Sequence, residues 1–286
     1  MYTQESIRLL AMHSCLKEFY IVSNFSIEIT PKTNVTVLAS LPSAIREVSI
    51  TFLPGAADWD VIAQAQRVRQ HGFEPIPHIP ARSIRDPRHL KSLLTQLRDT
   101  AQIRKVLVIG GSCAPIGDYT TTLQLLETGL FEGLQVGIAG HPEGMPHLSN
   151  DECDAVLRQK NQFAQETGLE LFIITQWSMN PETVLQWCDR IQSFNTLPIY
   201  LGIPGPASLT SLMKFAAICG VRASWTGLRQ QSGKLGQLLT VQTPDFMVEA
   251  LQYRIDHFHV YTFGGVNRTA DWLSQVTEEC QMPVSA

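Results

Sequence analysis

Short runs of apolar and β-branched residues recur along the chain, each followed by a longer stretch whose apolar positions return every three or four residues. The strand-like runs are Ser26–Thr30, Val48–Phe52, Glu74–His78, Lys105–Ile109, Leu134–Ala139, Leu169–Thr175, Leu197–Gly202 and Asp256–Thr262. Val106-Leu107-Val108-Ile109 and Leu171-Phe172-Ile173-Ile174 are apolar throughout rather than alternating. Strands of a parallel sheet covered by helices read this way. Between the runs, Asp58–His71 carries Val61, Ile62, Ala65 and Val68 at helical spacing, and Arg88–Asp99, Tyr119–Gly129 and Asn150–Gly168 keep the same period. Gly72, Gly129, Gly168 and Gly220 stand where helix C-caps are expected. Eight strands alternating with helices predict an α/β chain folded as a single (β/α)8 TIM barrel, one domain over residues 1–286. An extra N-terminal helix is expected within residues 1–24. A doubly wound open sheet is the competing arrangement.

Composition sharpens this picture. The length of 286 residues suits one such barrel, and a hydrophobic content of 44% supplies a large core. Charged residues are 17%, below the roughly 25% of an average chain, which predicts surface buried in a ligand cleft or between copies in a homo-oligomer. A formal net charge of -4 argues against a nucleic-acid partner, which needs clustered Lys and Arg. No apolar run is long enough to span a membrane. The stretch Ile7–Val22 is broken by Arg8, Lys17 and Glu18, so it does not read as a signal peptide, and a cytoplasmic protein is expected. The six cysteines form no C-x-x-C pair, which argues against a zinc site or redox dithiol and for reduced thiols.

In a barrel, polar residues at the C-terminal ends of the strands are the first candidates for chemistry. Glu28 alternates with apolar neighbours in Ser26-Ile27-Glu28-Ile29 and is expected at the rim of a partly desolvated cavity, either as a proton donor or paired with Lys32 or Arg268. His78 and His141 end the third and fifth strands, where they either hold a cofactor or are satisfied rim histidines. They lack the close companions of a metal site. His257 and His259 alternate on the last strand, with one expected in packing. Gly110-Gly111-Ser112 lets a ligand approach bare backbone, but it is neither G-x-G-x-x-G nor G-x-S-x-G. No strand-end lysine offers a Schiff-base nucleophile except Lys32, just beyond the first strand. Gln176 offers an amide suited to a heteroaromatic ring edge or to a backbone hydrogen bond. Phe215 has the helical spacing of a core residue.

Taken in order, these segments resemble the methylenetetrahydrofolate reductase family. Ser26-Ile27-Glu28-Ile29-Thr30-Pro31 is similar to that family's S-F-E-F-F-P, Pro77-His78-Ile79 to P-H-L, Gly140-His141-Pro142-Glu143 to G-Y-P-E, and Ile173-Ile174-Thr175-Gln176 to I-T-Q. Val48-Ser49-Ile50-Thr51-Phe52 resembles the second strand. Leu201-Gly202-Ile203, Lys214-Phe215-Ala216 and Tyr261-Thr262 with Asn267-Arg268 follow in the same order, so the likeness runs from about Asn24 to Leu273. The resemblance implies a flavoprotein oxidoreductase of one-carbon metabolism that binds FAD and a tetrahydrofolate derivative, with NADH or NADPH as a candidate electron partner. By the same likeness, Glu28 matches the general acid that helps open the folate ring. Ser26, Gln176, Phe215 and Arg268 match substrate-contacting positions. Thr51, His78, Gly110, Gly111, Ser112, Tyr119, Thr120 and His141 match flavin contacts, and Lys160 a cation serving the FAD pyrophosphate.

Two departures stand out. The fourth-strand loop of the family reads A-L-R-G-D, whereas this chain has Val108-Ile109-Gly110-Gly111-Ser112. Losing that negative charge implies a flavin that is easier to reduce and a bias towards oxidising methyltetrahydrofolate. His141 replaces the family's tyrosine. A flavin-free folate-binding methyltransferase barrel and a non-catalytic relative of the family are the competing readings.

Overall fold

The computed structural model describes residues 24–53, 55–221 and 241–279. The expected N-terminal helix lies outside them, as do Cys15 and Cys280. Eight strands, β1 (Asn24–Ile29), β2 (Glu47–Ile50), β3 (Glu74–Pro80), β4 (Lys105–Ile109), β5 (Gln135–Gly140), β6 (Leu171–Thr175), β7 (Ile199–Pro204) and β8 (His257–Tyr261), close into a barrel in the order β1-β8-β7-β6-β5-β4-β3-β2. Every neighbouring pair is parallel. Closure rules out the doubly wound alternative. The strands themselves, not motif resemblance, establish the (β/α)8 fold.

The helices around the barrel are α1 (Asp58–Gln70), α2 (Pro87–Ala101), α3 (Thr122–Leu126), α4 (Asn150–Thr167), α5 (Pro181–Ile191), α6 (Leu209–Cys219), α7 (Asp245–Leu251) and α8 (Val266–Glu279). Helix α2 shows why they form. Asp86 caps it by accepting from the His89 N–H, Pro87 opens it, and Leu90, Leu93, Leu94, Leu97 and Ala101 bury one face. Each such leucine contributes roughly 1.5–3 kcal/mol on burial. After β1 the chain makes only a short 3-10 turn, Val35–Ser40. The helix expected over Tyr119–Gly129 is confined to α3, because Thr121 caps it and the Gln124 side chain folds back onto the Thr120 and Thr121 N–H groups. Tyr119 and Thr120 therefore belong to the loop before it.

Two cores result. Outward-facing strand residues such as Phe25, Ile27, Ile29, Val106, Val108 and Ile173 pack under the helices. Inside the barrel, Ile76, Leu107, Phe172 and Ile174 form a smaller apolar cluster on one side. The other side of the interior, from β8 through β1 to β2, carries Ser26, Ser49 and His259, all fully buried. At the closed end, the Lys105 ammonium lies 2.6 Å from Glu47 Oε1 and 3.1 Å from the Tyr200 hydroxyl. Burial would lower its pKa, but these two partners outweigh that and hold it above the ordinary lysine value.

Candidate active site

The strand register decides what meets at the mouth. On β8 the alternation of His257, His259 and Tyr261 sends all three side chains inward. Ser26 is paired with His259, and Glu28 with Tyr261. Glu28 Oε2 consequently stands 3.4 Å from His78 Nε2 and 3.6 Å from His259 Nε2. Neither imidazole nitrogen has a hydrogen-bond partner among the described residues, although both are buried. Burial drives the His78 pKa down to about 4; the Glu28 carboxyl opposes this and His259 adds to it. His78 is accordingly a neutral imidazole near pH 7, so the contact with Glu28 is no ordinary ion pair. Lys32 and Arg268, the partners weighed for Glu28 from the sequence, give way to these histidines.

One layer below, the fully buried Ser26 Oγ lies 2.9 Å from His259 Nδ1 and 3.0 Å from His257 Nε2. Both histidines thus engage the same hydroxyl, where the sequence suggested one in simple packing. Above, the Tyr261 hydroxyl donates to the Thr175 carbonyl at 2.9 Å, and burial raises its pKa well above 10. Gly202 makes room for that crossing: a Cβ there would sit 2.5 Å from the Thr175 oxygen and 2.8 Å from the Tyr261 ring. His257 and His259 were legible only as an alternating strand, and Tyr261 as the polar residue that ends it.

Gln176 stands half-buried just past the end of β6. Its amide nitrogen donates to the Cys219 carbonyl at 3.3 Å, while Oε1 is buried without a partner among the described residues and free to accept from a ligand. Phe215 stacks on Phe263 with ring centroids 4.1 Å apart, and Phe263 in turn stacks on Tyr261. An aromatic wall therefore runs from α6 to β8. Thr51 lies half-buried just past the end of β2, its N–H donating to the Ile29 carbonyl. In the β4 loop, Gly110 and Gly111 are half-buried and Ser112 is exposed. Gly111 has φ +88°, a conformation that side chains disfavour. Tyr119 is buried and Thr120 is exposed. Arg268 is exposed on α8 and lines, with Thr33, Asn34 and Asp271, an open cleft of about 470 Å3.

On α4, Lys160 is 6% exposed and makes neither an ion pair nor a hydrogen bond among the described residues. Burial lowers its pKa to about 8, with Cys153 pulling the other way. It shares a cavity of about 30 Å3 with Gly140, His141 and Cys153. Burial, reinforced by Lys160, holds His141 at about 4. A desolvated ammonium without a counter-ion fits an anionic ligand group. The unpartnered His78 nitrogen and Gln176 oxygen fit the polar edge of a heteroaromatic ring. These groups are of the kind FAD and a folate require. Among the described residues, no group of three or more His, Cys, Asp or Glu is arranged to hold a metal ion, and no helix is long and apolar enough to cross a membrane.

No protein-family model matches the chain. In the course of its backbone it is similar to dihydropteroate synthase (FolP) from Thermus thermophilus, at 10% sequence identity over 90% of this chain and 94% of that one, with a TM-score of 0.48. The same enzyme in complex with 6HMPPP gives 10% identity over 90% and 93%, with a TM-score of 0.49. A conserved protein of unknown function from Enterococcus faecalis gives 11% identity over 89% of this chain and 65% of that one, with a TM-score of 0.48. Likenesses this distant say nothing about the reaction; the reading of the mouth rests on its own residues.

Proposed function

We propose that the barrel is an oxidoreductase interconverting 5,10-methylenetetrahydrofolate and 5-methyltetrahydrofolate, with FAD as its redox group and Glu28 as its acid. The observation that carries this reading is the Glu28 carboxyl at the mouth, set between two buried imidazole nitrogens that have no hydrogen-bond partner among the described residues. A carboxyl so placed can exchange a proton with a base bound beside it. Gln176 Oε1 and the Phe215–Phe263 wall offer an acceptor and a stacking face to a pterin beside it.

Bound FAD would supply hydride exchange with the one-carbon unit of the folate. Lys160 and His141 would hold its anionic part, while His78, Thr51 and the bare backbone of Gly110–Gly111 would border its ring. Glu28 protonates the folate's N10 as the five-membered ring opens and takes that proton back in the reverse direction. The aromatic wall orients the ring and excludes water. A flavin-free barrel acting on a folate would use Glu28 and Gln176 equally well. The buried Lys160, without a counter-ion among the described residues, favours a second and anionic ligand.

Glu28→Gln tests the assignment. Folate turnover falls by roughly 10²–10⁴-fold, while reduction of bound flavin by a nicotinamide donor persists, because only the folate half requires the proton. Stopped-flow measurement of the two half-reactions separates them. Equal loss in both, or no loss in the folate half, removes Glu28 from this role.

A further inference from the structure

We infer that Glu28 exchanges its proton through the closed end of the barrel, by a relay of His257, Ser26 and His259, rather than through the mouth. The inference rests on the reading of Glu28 as the acid of this site. A ligand lying across the rim would seal the mouth, and an acid sealed from above needs another route to water.

The geometry supplies one. His257 Nε2 and His259 Nδ1 lie 3.0 Å and 2.9 Å from the same Ser26 oxygen, both within hydrogen-bond range. His259 Nε2, the far nitrogen of the second ring, faces Glu28 Oε2 at 3.6 Å, a gap that a small rotation of the carboxyl closes. Ser26 and His259 are fully buried, so the hydroxyl between the rings has no route to water of its own. His257 is only half-buried and lies at the closed end, its ring stacked on Tyr200 at 3.5 Å, beside the Lys105–Glu47 pair.

Serine suits the central place because its hydroxyl donates and accepts at once. A proton arriving on His257 Nδ1 lets Nε2 pass its proton to Ser26 Oγ. The serine proton moves to His259 Nδ1, and the proton on His259 Nε2 passes to Glu28 Oε2. One proton enters and one leaves, each ring changes tautomer, and no charge remains on the chain. Burial, with His259 and Lys105 adding to it, holds His257 at about 3, in keeping with transfer between neutral tautomers.

Long-range 15N–1H spectra of the imidazoles test the relay on the full chain without any ligand. His259 is expected to populate both neutral tautomers. The His257→Phe variant, which keeps the ring stack but leaves Ser26 one partner, is expected to shift that population. A single His259 tautomer, identical in both proteins, overturns the relay. A second arm uses the FAD-loaded protein. His257→Gln preserves a hydrogen bond to Ser26 but cannot pass a proton, so its folate half-reaction slows at least about tenfold. Added imidazole restores the rate in His257→Gly. A His257→Gln rate equal to that of the parent overturns the relay, since a merely structural histidine would be replaced by glutamine. Failure to bind flavin or folate would instead overturn the reading of the mouth, and the tautomer experiment would still decide the relay.

Discussion

The two sides of the barrel interior are built on opposite principles. On the side of β3, β4 and β6, Ile76, Leu107, Phe172 and Ile174 interlock as an ordinary apolar core. On the side of β8, β1 and β2, the same strand-to-strand scaffold buries Ser26, Ser49 and His259 and presents Glu28 above them, facing His78 of β3. Ser49 Oγ, His78 Nε2 and His259 Nε2 are left without hydrogen bonds among the described residues. Each such group costs about 1–3 kcal/mol relative to a satisfied one. The apolar side and the outer core carry the stability that lets the polar side exist. Local violations of good packing concentrate where a protein does its chemistry.

This contrast can be broken experimentally. Among single substitutions the largest effect belongs to the apolar side: Phe172→Ala lowers unfolding free energy by about 3–5 kcal/mol in urea denaturation. Acid acts on the polar side. His78 and His257, held at about 4 and about 3, stay neutral in the folded chain, whereas the unfolded chain takes up protons as pH falls below about 6.5. Stability therefore falls as pH drops from about 6.5 towards 4, by about 1.4 kcal/mol for each pH unit and each histidine kept neutral. Replacing both by neutral amides, His78→Asn and His257→Gln, reduces that slope to the share left by His141, itself held at about 4; an unchanged slope contradicts the assignment.

Ser26→Ala is milder, at about 1–3 kcal/mol, because it removes little volume but orphans two imidazoles. A loss as large as that of Phe172→Ala would erase the distinction between the two sides. The smallest effect has the opposite sign. Lys160→Met removes a desolvated cation whose pKa is lowered to about 8, and raises stability at pH 7 by at least about 1 kcal/mol. The same variant binds FAD more weakly, as isothermal titration would show.

Which of these features the sequence discloses follows from how local they are. The β4 and β6 strands are readable because their runs are apolar on both faces, as a helix-covered sheet requires. Helix α2 is readable from its leucine spacing and its Asp86-Pro87 start. Glu28, His78 and Gln176 are readable as strand-end polar residues. The contacts that give Glu28 its setting are not, because Ser26 and His259 lie 233 positions apart and meet only through the closure of β8 onto β1. The brevity of α3 depends on one glutamine side chain turning back onto the preceding loop, a choice that periodicity does not register. Lys160 stands out in the sequence only through the family resemblance, and its burial emerges only when α4 is packed against the end of β5.

The proposed function requires a flavin at the mouth that exchanges electrons with a folate. Anaerobic titration of the FAD-reconstituted protein with 5-methyltetrahydrofolate, followed by visible absorbance, checks for that exchange. The oxidised flavin band is expected to bleach in the parent protein and to persist in Glu28→Gln. A chain that takes up no FAD, or a bound flavin that the folate leaves fully oxidised, would contradict the proposed function.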